Sequence, residues 1–241
     1  MVEPIGQSNA RRASFRRCGE VVAAQVSEFE AQCDQLQEGP PLGALVRVNA
    51  APDLTIYGLV AGIRTGGVDA GMRPIPRGRD GCEDSAIFTA HPDLAHLLAT
   101  SVRCLVVGFC QASAIYRYLP SSPAPIHYSL ALCAPPEVGA FTLDFGYFPM
   151  IISVRDVPIE EVIAAHVRHA AEARDLTAAG AEQPYAFSVR AGRTLAQLLR
   201  GEPQRLSTIL QRIRRQEPTE PTSPVWEPGR GLHPVAQALA P

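Results

Sequence analysis

Short apolar runs separated by Gly and Pro fill the first half of the chain and predict β-strands. In the first run, CGEVVAAQVSEFEAQC, apolar and polar positions alternate, which places Val22, Ala24 and Val26 on one face. Gly58 lies inside another run and indicates a bulge or bend. Several short strands of this kind predict a barrel or a sandwich rather than a doubly wound sheet. The later predicted strands are LGALVRVNA, LTIYGLVAGIRT, SVRCLVVGFC and IHYSLALCA.

The second half changes to the helical period, with apolar residues at i, i+3, i+4 and i+7. A first helix is predicted from Pro158, a second from Pro184 to Gly201, and a third from Pro203. A short helix is also predicted within HPDLAHLLA, residues 91–99. The inward positions of the three long helices are predicted as Ile159, Val162, Ile163, His166, Val167, Ala170, Phe187, Leu195, Leu198, Leu199, Leu206, Ile209, Leu210 and Ile213.

These patterns predict an α+β chain with an N-terminal small β-barrel followed by a small C-terminal helical domain. The predicted order is a flexible basic arm over residues 1–14, the barrel over 15–136, and a transitional segment over 137–155. A helical domain over 156–216 and a disordered Pro-rich tail over 217–241 complete the chain.

The composition excludes several classes of chemistry and binding. All 22 basic residues are arginine, and a chain without lysine cannot form a Walker phosphate loop or use lysine nucleophiles. The net charge of −2 gives no steering toward nucleic acid or membrane, and no apolar stretch is long enough to span a bilayer. The six cysteines form no CxxC pair, which favours reduced thiols and a cytoplasmic location. Cys104 and Cys110 lie an even number apart, so one strand would point both to the same face.

The order of the predicted strands resembles a known barrel family. The runs CGEVVAAQVSEFEAQC, PPLGALVRV and IYGLVAGI are similar in order and turn chemistry to the HAS barrel, which HerA-type translocases share with rotary ATP synthase subunits. The later segments HPDLAHLLATSVRCLVVGF and YLPSSPAPIHYSLALC resemble longer bacterial versions. The resemblance covers about residues 15–136 and implies a standalone member without the ATPase core. It also implies a role in organising or contacting a ring-forming ATPase.

Two groups of residues are candidates for metal chemistry. His166 and His169 share a predicted helix face, and Glu172 continues the same row, an arrangement that would suit a metal ion. A simpler explanation is that His166 lies at the edge of the apolar face and that His169 is solvated. His91 and His96 follow an acidic loop, so a mixed-ligand site there is an alternative to helix capping and loop solvation. The loop residues concerned are Cys82, Glu83 and Asp84. We predict no cofactor and no metal.

The charges are unevenly distributed along the chain. Residues 183–216 hold seven arginines and one acid, a local charge of 7 − 1 = +6, whereas residues 18–135 hold eleven acids and seven arginines, or −4. Basic ends of this kind could hold phosphates, or could simply be solvated helix faces. The candidate nucleic-acid-binding residues are Arg11, Arg12, Arg16, Arg17, Arg205, Arg212, Arg214 and Arg215.

The sequence therefore predicts a non-enzymatic assembly or adaptor module. Its barrel would mediate oligomerisation or docking to a ring-forming ATPase that processes DNA. A nucleic-acid-binding accessory protein is the alternative. The expected partners are proteins, either copies of this chain or a ring ATPase, and no membrane partner is expected.

Overall fold

A computed structural model describes residues 17–68, 71, 74–77, 83–176 and 182–214, and every structural statement below concerns these residues. An antiparallel sheet forms the first half of the described chain. Its strands are β1 (Arg17–Ala24), β2 (Glu28–Cys33), β3 (Leu45–Ala51), β4 (Leu54–Gly67), β5 (Leu98–Gln111), β6 (Ala114–Tyr116) and β7 (Ser129–Leu132).

Short helices lie in the connection between two strands, and the remaining helices follow the last strand. A single 3₁₀ turn (Asp84–Ala86) and two one-turn helices lie between β4 and β5, and five further helices follow β7. The helices are α1 (Ile87–Ala90), α2 (Leu94–Leu97), α3 (Pro135–Phe141), α4 (Phe148–Ile152), α5 (Ile159–Asp175), α6 (Pro184–Leu198) and α7 (Pro203–Ile213).

The strands close into a six-stranded antiparallel barrel. The sheet order is β2-β1-β7-β3-β4-β5-β6, and pairing of β2 with β5 closes the ring so that only β6 lies outside it. Closure removes most unpaired strand edges, which otherwise attract other strands. The predicted α+β architecture with an N-terminal β-barrel is confirmed at this level.

Two apolar cores lie on opposite sides of the barrel wall. On β4, Ile56 and Val60 point into the barrel, whereas Tyr57 and Leu59 point outward against the helices. Because both faces of β4 and β5 are covered, these strands are apolar at consecutive positions rather than alternately. The outer core includes Phe141, Phe148, Val162, Ile163, Phe187, Leu195 and Ile209 from the helices.

The first predicted strand is in fact a hairpin. β1 ends at Ala24 and β2 begins at Glu28, with Gln25 N donating to Glu28 O over 2.8 Å. The alternation also does not mark the buried face, because Val21 is fully buried while Val22 is 42% exposed. Within an Ala- and Val-rich run both faces are apolar, so alternation alone does not identify the face that is buried.

A bulge in β5 overturns the prediction for Cys104 and Cys110. Tyr57 pairs with Gly108 and Gly58 pairs with Val106, so Val107 is an extra residue on β5. One extra residue reverses the side-chain alternation beyond it. Cys104 therefore lies in the barrel interior, whereas Cys110 packs against the outer core. The irregularity predicted at Gly58 is confirmed.

The helical predictions hold with local changes. Helices α5, α6 and α7 begin at the predicted positions, and the transitional segment 137–155 itself contains most of α3 and all of α4. Of the predicted inward residues, Leu198 and Leu210 are exposed. The short helix predicted over 91–99 is the single turn α2, because Leu98 already belongs to β5. None of the helices in the described ranges is long and apolar enough to cross a bilayer.

Candidate functional site

Three aromatic rings form a surface cluster beside the β5–β6 hairpin, which we call the tyrosine patch: Phe109, Tyr116 and Tyr118. The Phe109 and Tyr116 rings stack with centroids 4.9 Å apart, and Tyr118 meets Phe109 edge-on at 5.4 Å. Phe109 is buried, while Tyr116 and Tyr118 are 37% and 55% exposed. Mutual packing holds two large amphipathic rings at the surface in a fixed arrangement.

Backbone geometry and one arginine hold the patch in position. A Cβ atom at Gly108 would lie 2.2 Å from the carbonyl oxygen of Tyr116, so only glycine allows β6 to approach β5 this closely. Between the two tyrosines, Arg117 donates from Nε to the carbonyl of Phe141 over 2.8 Å. The patch is therefore attached both to the barrel and to α3.

The connection from β6 to β7, residues 117–128, continues this surface. Ala124 is buried within the barrel core, so the connection covers one end of the barrel. The segment is fastened to β1, because Val21 N donates to the carbonyl of Tyr128 and His127 N donates to the carbonyl of Val21. Ile126 and Tyr128 are left exposed on it.

A groove lies between the barrel and α4, and one of its lining residues directly follows the patch in the sequence. Leu119, which follows Tyr118, lines this 600 Å³ groove together with Met150 and Val154. Arg103 lies on its wall and joins two elements, with Nε 2.8 Å from a Glu28 oxygen and Nη1 2.7 Å from Asp156. The groove thus has an apolar floor flanked by an ion-pair network of one arginine and two carboxylates.

The candidate metal ligands His166, His169 and Glu172 do not converge on one point. His166 Nδ1 lies 3.1 Å from the carbonyl of Gly43, and His169 Nε2 lies 3.1 Å from the carbonyl of Leu42. Each imidazole therefore binds backbone of the loop before β3. The remaining His169 nitrogen faces Glu172 at 3.7 Å. The two histidines attach α5 to the barrel.

The protonation state of His166 follows from its partners. A carbonyl only accepts, so Nδ1 carries the proton that is donated to Gly43, and Nε2 accepts from the Tyr147 hydroxyl at 2.7 Å. Burial lowers the pKa of His166 from 6.5 to about 4 and raises the pKa of Tyr147 well above its usual range. Both groups are neutral at pH 7.

The second candidate metal site is not assembled among the described residues either. Within the described ranges, no group of three or more His, Cys, Asp or Glu side chains could hold a metal ion. That survey includes His91, His96, Glu83 and Asp84, whereas Cys82 lies outside the described residues.

Three of the four candidate phosphate-binding arginines in the described ranges are engaged with carboxylates. Arg17 binds Asp34 through Nε at 3.0 Å, and Arg205 binds Glu160 at 2.6 Å and Glu202 at 2.8 Å. Arg212 pairs with Glu161. Arg214 is exposed at the end of α7. The other four candidates, Arg11, Arg12, Arg16 and Arg215, lie outside the described residues, so the nucleic-acid alternative stays a prediction.

Sequence reasoning missed the tyrosine patch. The segment IYRYLP contains the only signal, since alternating tyrosines place both rings on one side of an extended chain. A scan against protein-family models gives no match for this chain, and a search of curated proteins also gives none.

Proposed function

We propose that this protein is a non-enzymatic assembly module whose barrel docks other proteins through the tyrosine patch. Exposed tyrosines that are already ordered by a buried ring lose little side-chain entropy on binding, which is why such residues dominate protein interfaces. The prearranged pair of Tyr116 and Tyr118 is the observation that carries the proposal.

The surroundings of the patch support the same function. Leu119 extends its apolar surface toward the groove beside α4, and Ile126 and Tyr128 lie on the same connection. An apolar centre bordered by ion pairs such as Arg103 with Glu28 and Asp156 is the usual composition of a protein-binding surface.

The resemblance to the HAS barrel supports a finer proposal about the partner. Barrels of that family accompany ring-forming ATPases, and this chain lacks the lysine that a Walker loop requires. The proposed partner is a HerA-type translocase ring that processes DNA, with this chain as its adaptor and ATP hydrolysis confined to the partner.

Crosslinking pulldowns from the native cell test the proposal. The full chain is expected to capture a ring-forming ATPase, and the double variant Tyr116→Ala, Tyr118→Ala is expected to lose at least about tenfold of that capture, as for paired interface hot spots. Tyr185→Ala is the matched control, because Tyr185 is 82% exposed on α6 and takes no part in the ring contacts of the patch. Thermal unfolding establishes that both variants are folded. Equal capture by the patch variant and the control would contradict the proposal.

A further inference from the structure

The strand pair β4–β5 extends beyond the barrel as a two-stranded ribbon. β4 pairs with β3 only through Leu59, but it pairs with β5 as far as Gly67. Residues 62–67 of β4 therefore have one sheet neighbour among the described residues. An edge of this kind can accept an additional strand.

The hydrogen-bonding direction along this edge follows from the register. The amide and the carbonyl of Val60 both bind the loop before β3, on the side away from β5. Ala61 is then an extra residue on β4, which shifts the register of β4 against β5, so that Gly62 pairs with Arg103. Farther along, Val68 N donates to Leu97 O, on the β5 side. The even-numbered residues thus face β5, and the amides and carbonyls of Ile63, Thr65 and Gly67 point to the open edge.

Among residues 62–67 of β4, Arg64 is the one charged side chain and Ile63 the one large apolar side chain. Arg64 is exposed, and within the described chain its guanidinium has no carboxylate partner. It lies over Gly66 on the outer face, while Ile63, 47% exposed, lies on the opposite face. The same three positions, 62–64, form one wall of an open groove of 540 Å³. Its lining also includes Ala23, Ala24, Glu28, Glu30 and Arg103.

We propose that residues 63–67 of β4 bind an extended segment of a partner protein that alternates acidic and apolar residues. The partner backbone would pair with the outward amides and carbonyls, an acidic side chain would face Arg64, and an apolar one would pack on Ile63. This inference deepens the proposed function by naming the chemistry of one partner segment.

Charge favours this occupant over a second copy of the chain. Symmetric antiparallel pairing centred on Arg64 would place two arginines directly opposite each other. In the register centred on Thr65, Arg64 of one copy would pair with Gly66 of the other copy. The Arg64 guanidinium of that other copy lies over the same Gly66, so the two charges would again be close. Like charges in such positions oppose pairing, whereas a carboxylate opposite Arg64 supports it.

Fluorescence polarisation with short synthetic peptides tests the proposal on the full chain. The probe alternates glutamate with valine, and its matched control has lysine in place of every glutamate. The glutamate peptide is expected to bind about threefold to fivefold more tightly per charge pair at low salt. Arg64→Glu is expected to reverse this preference toward the lysine peptide.

Two substitutions at Thr65 separate the backbone from the side chain. Thr65→Pro removes an outward amide and is expected to abolish binding of the glutamate peptide. Thr65→Val removes the 2.8 Å hydroxyl contact with Thr100 but keeps the amide, and is expected to bind normally. Circular dichroism and thermal unfolding confirm that each variant is folded.

Several outcomes would overturn the inference. They are retained binding by folded Thr65→Pro, an unchanged peptide preference in Arg64→Glu, and a dimer in sedimentation that Thr65→Pro dissociates, which would assign the edge to a second copy. The double variant Tyr116→Ala, Tyr118→Ala is expected to bind the peptide normally. Failure at this edge and failure of the tyrosine patch are therefore distinguishable.

Discussion

The buried histidine of α5 shows how one residue can join two parts of a fold. His166 is 1% exposed, and its neutral ring links the carbonyl of Gly43 to the hydroxyl of Tyr147. Gly43 has a φ of 77°, and a Cβ there would lie 2.5 Å from the His166 amide nitrogen. The loop before β3 therefore contacts α5 closely only because residue 43 is glycine and residue 166 can bridge.

This arrangement predicts a specific acid sensitivity. The unfolded chain protonates His166 near its usual pKa of 6.5, but the folded chain does so only near 4. Between these values the unfolded state binds more protons, so the free energy of unfolding decreases as the pH falls. The decrease is about 1.4 kcal/mol per pH unit and approaches about 3 kcal/mol at pH 4.

Urea unfolding from pH 7.5 to pH 4.5 measures this effect. Asn at position 166 keeps a donor for the Gly43 carbonyl but does not titrate, so His166→Asn is expected to be less stable at pH 7.5 and to lose less stability on acidification. Carboxylates whose pKa is lowered by arginines, such as Glu160 and Glu182, affect both proteins equally. Identical pH dependence in the two proteins would show that His166 is not the titrating group.

At the scale of elements, helix pairing explains why charge counts along the chain mislead. The arginines of α7 lie opposite acids at the start of α5, and Arg205 with Glu160 and Arg212 with Glu161 neutralise each other. Apolar periodicity predicted both helices correctly. It carried no information about which helices are neighbours. The sequence therefore could not show that acids of α5 offset part of the local charge of +6 on residues 183–216.

Helices α5 and α6 share one carboxylate in a less exposed setting. Glu182 lies 2.7 Å from Arg190 Nη2 and 3.5 Å from Arg174 Nε, while the Arg174 side chain is 3% exposed. The Arg174 guanidinium also lies 3.6 Å from the centroid of the Phe187 ring. Burial lowers the pKa of Arg174, because the charged guanidinium is partly desolvated, and the nearby Glu182 carboxylate opposes this effect.

Removal of this carboxylate is therefore expected to destabilise the protein. Glu182→Gln should lower the free energy of unfolding by about 2 kcal/mol, because a buried guanidinium loses its counter-ion. Glu161→Gln is the control, since both members of its pair are about two-fifths exposed and its effect should stay within about 0.5 kcal/mol. Chemical denaturation of both variants measures the difference, and equal effects would contradict the assigned role of Glu182.

At the scale of the whole molecule, one apolar core joins the barrel to the helices. Apolar residues of the barrel wall, among them Leu45, Leu59 and Leu105, belong to the same cluster as Phe148 and Val167 from the helices. The sequence predicted a barrel and helices in the correct order, because each has its own period. It could not show that the outer face of the barrel packs against the helices, since contact between distant segments leaves no periodic pattern in the sequence.

A chain cut after Ala134 would expose that wall to water. It keeps all seven strands but loses α3 to α7, so Tyr57, Leu59 and Val107 would no longer be covered. Exposed apolar surface of this extent promotes aggregation or a loosely packed state. We expect the fragment to bind a hydrophobic dye and to lack a cooperative melting transition. Co-expression with residues 135–241 should abolish dye binding and restore the cooperative transition, because the two pieces bury the same core.

The contrary result would be equally informative. A soluble, monomeric fragment 1–134 with a cooperative transition would mean that the barrel interior, around Val46, Ile56 and Leu130, is sufficient for folding. The helices would then be a separable addition to the barrel. The attachment of α5 through His166 and Gly43 would contribute to the position of the helices but not to the stability of the barrel.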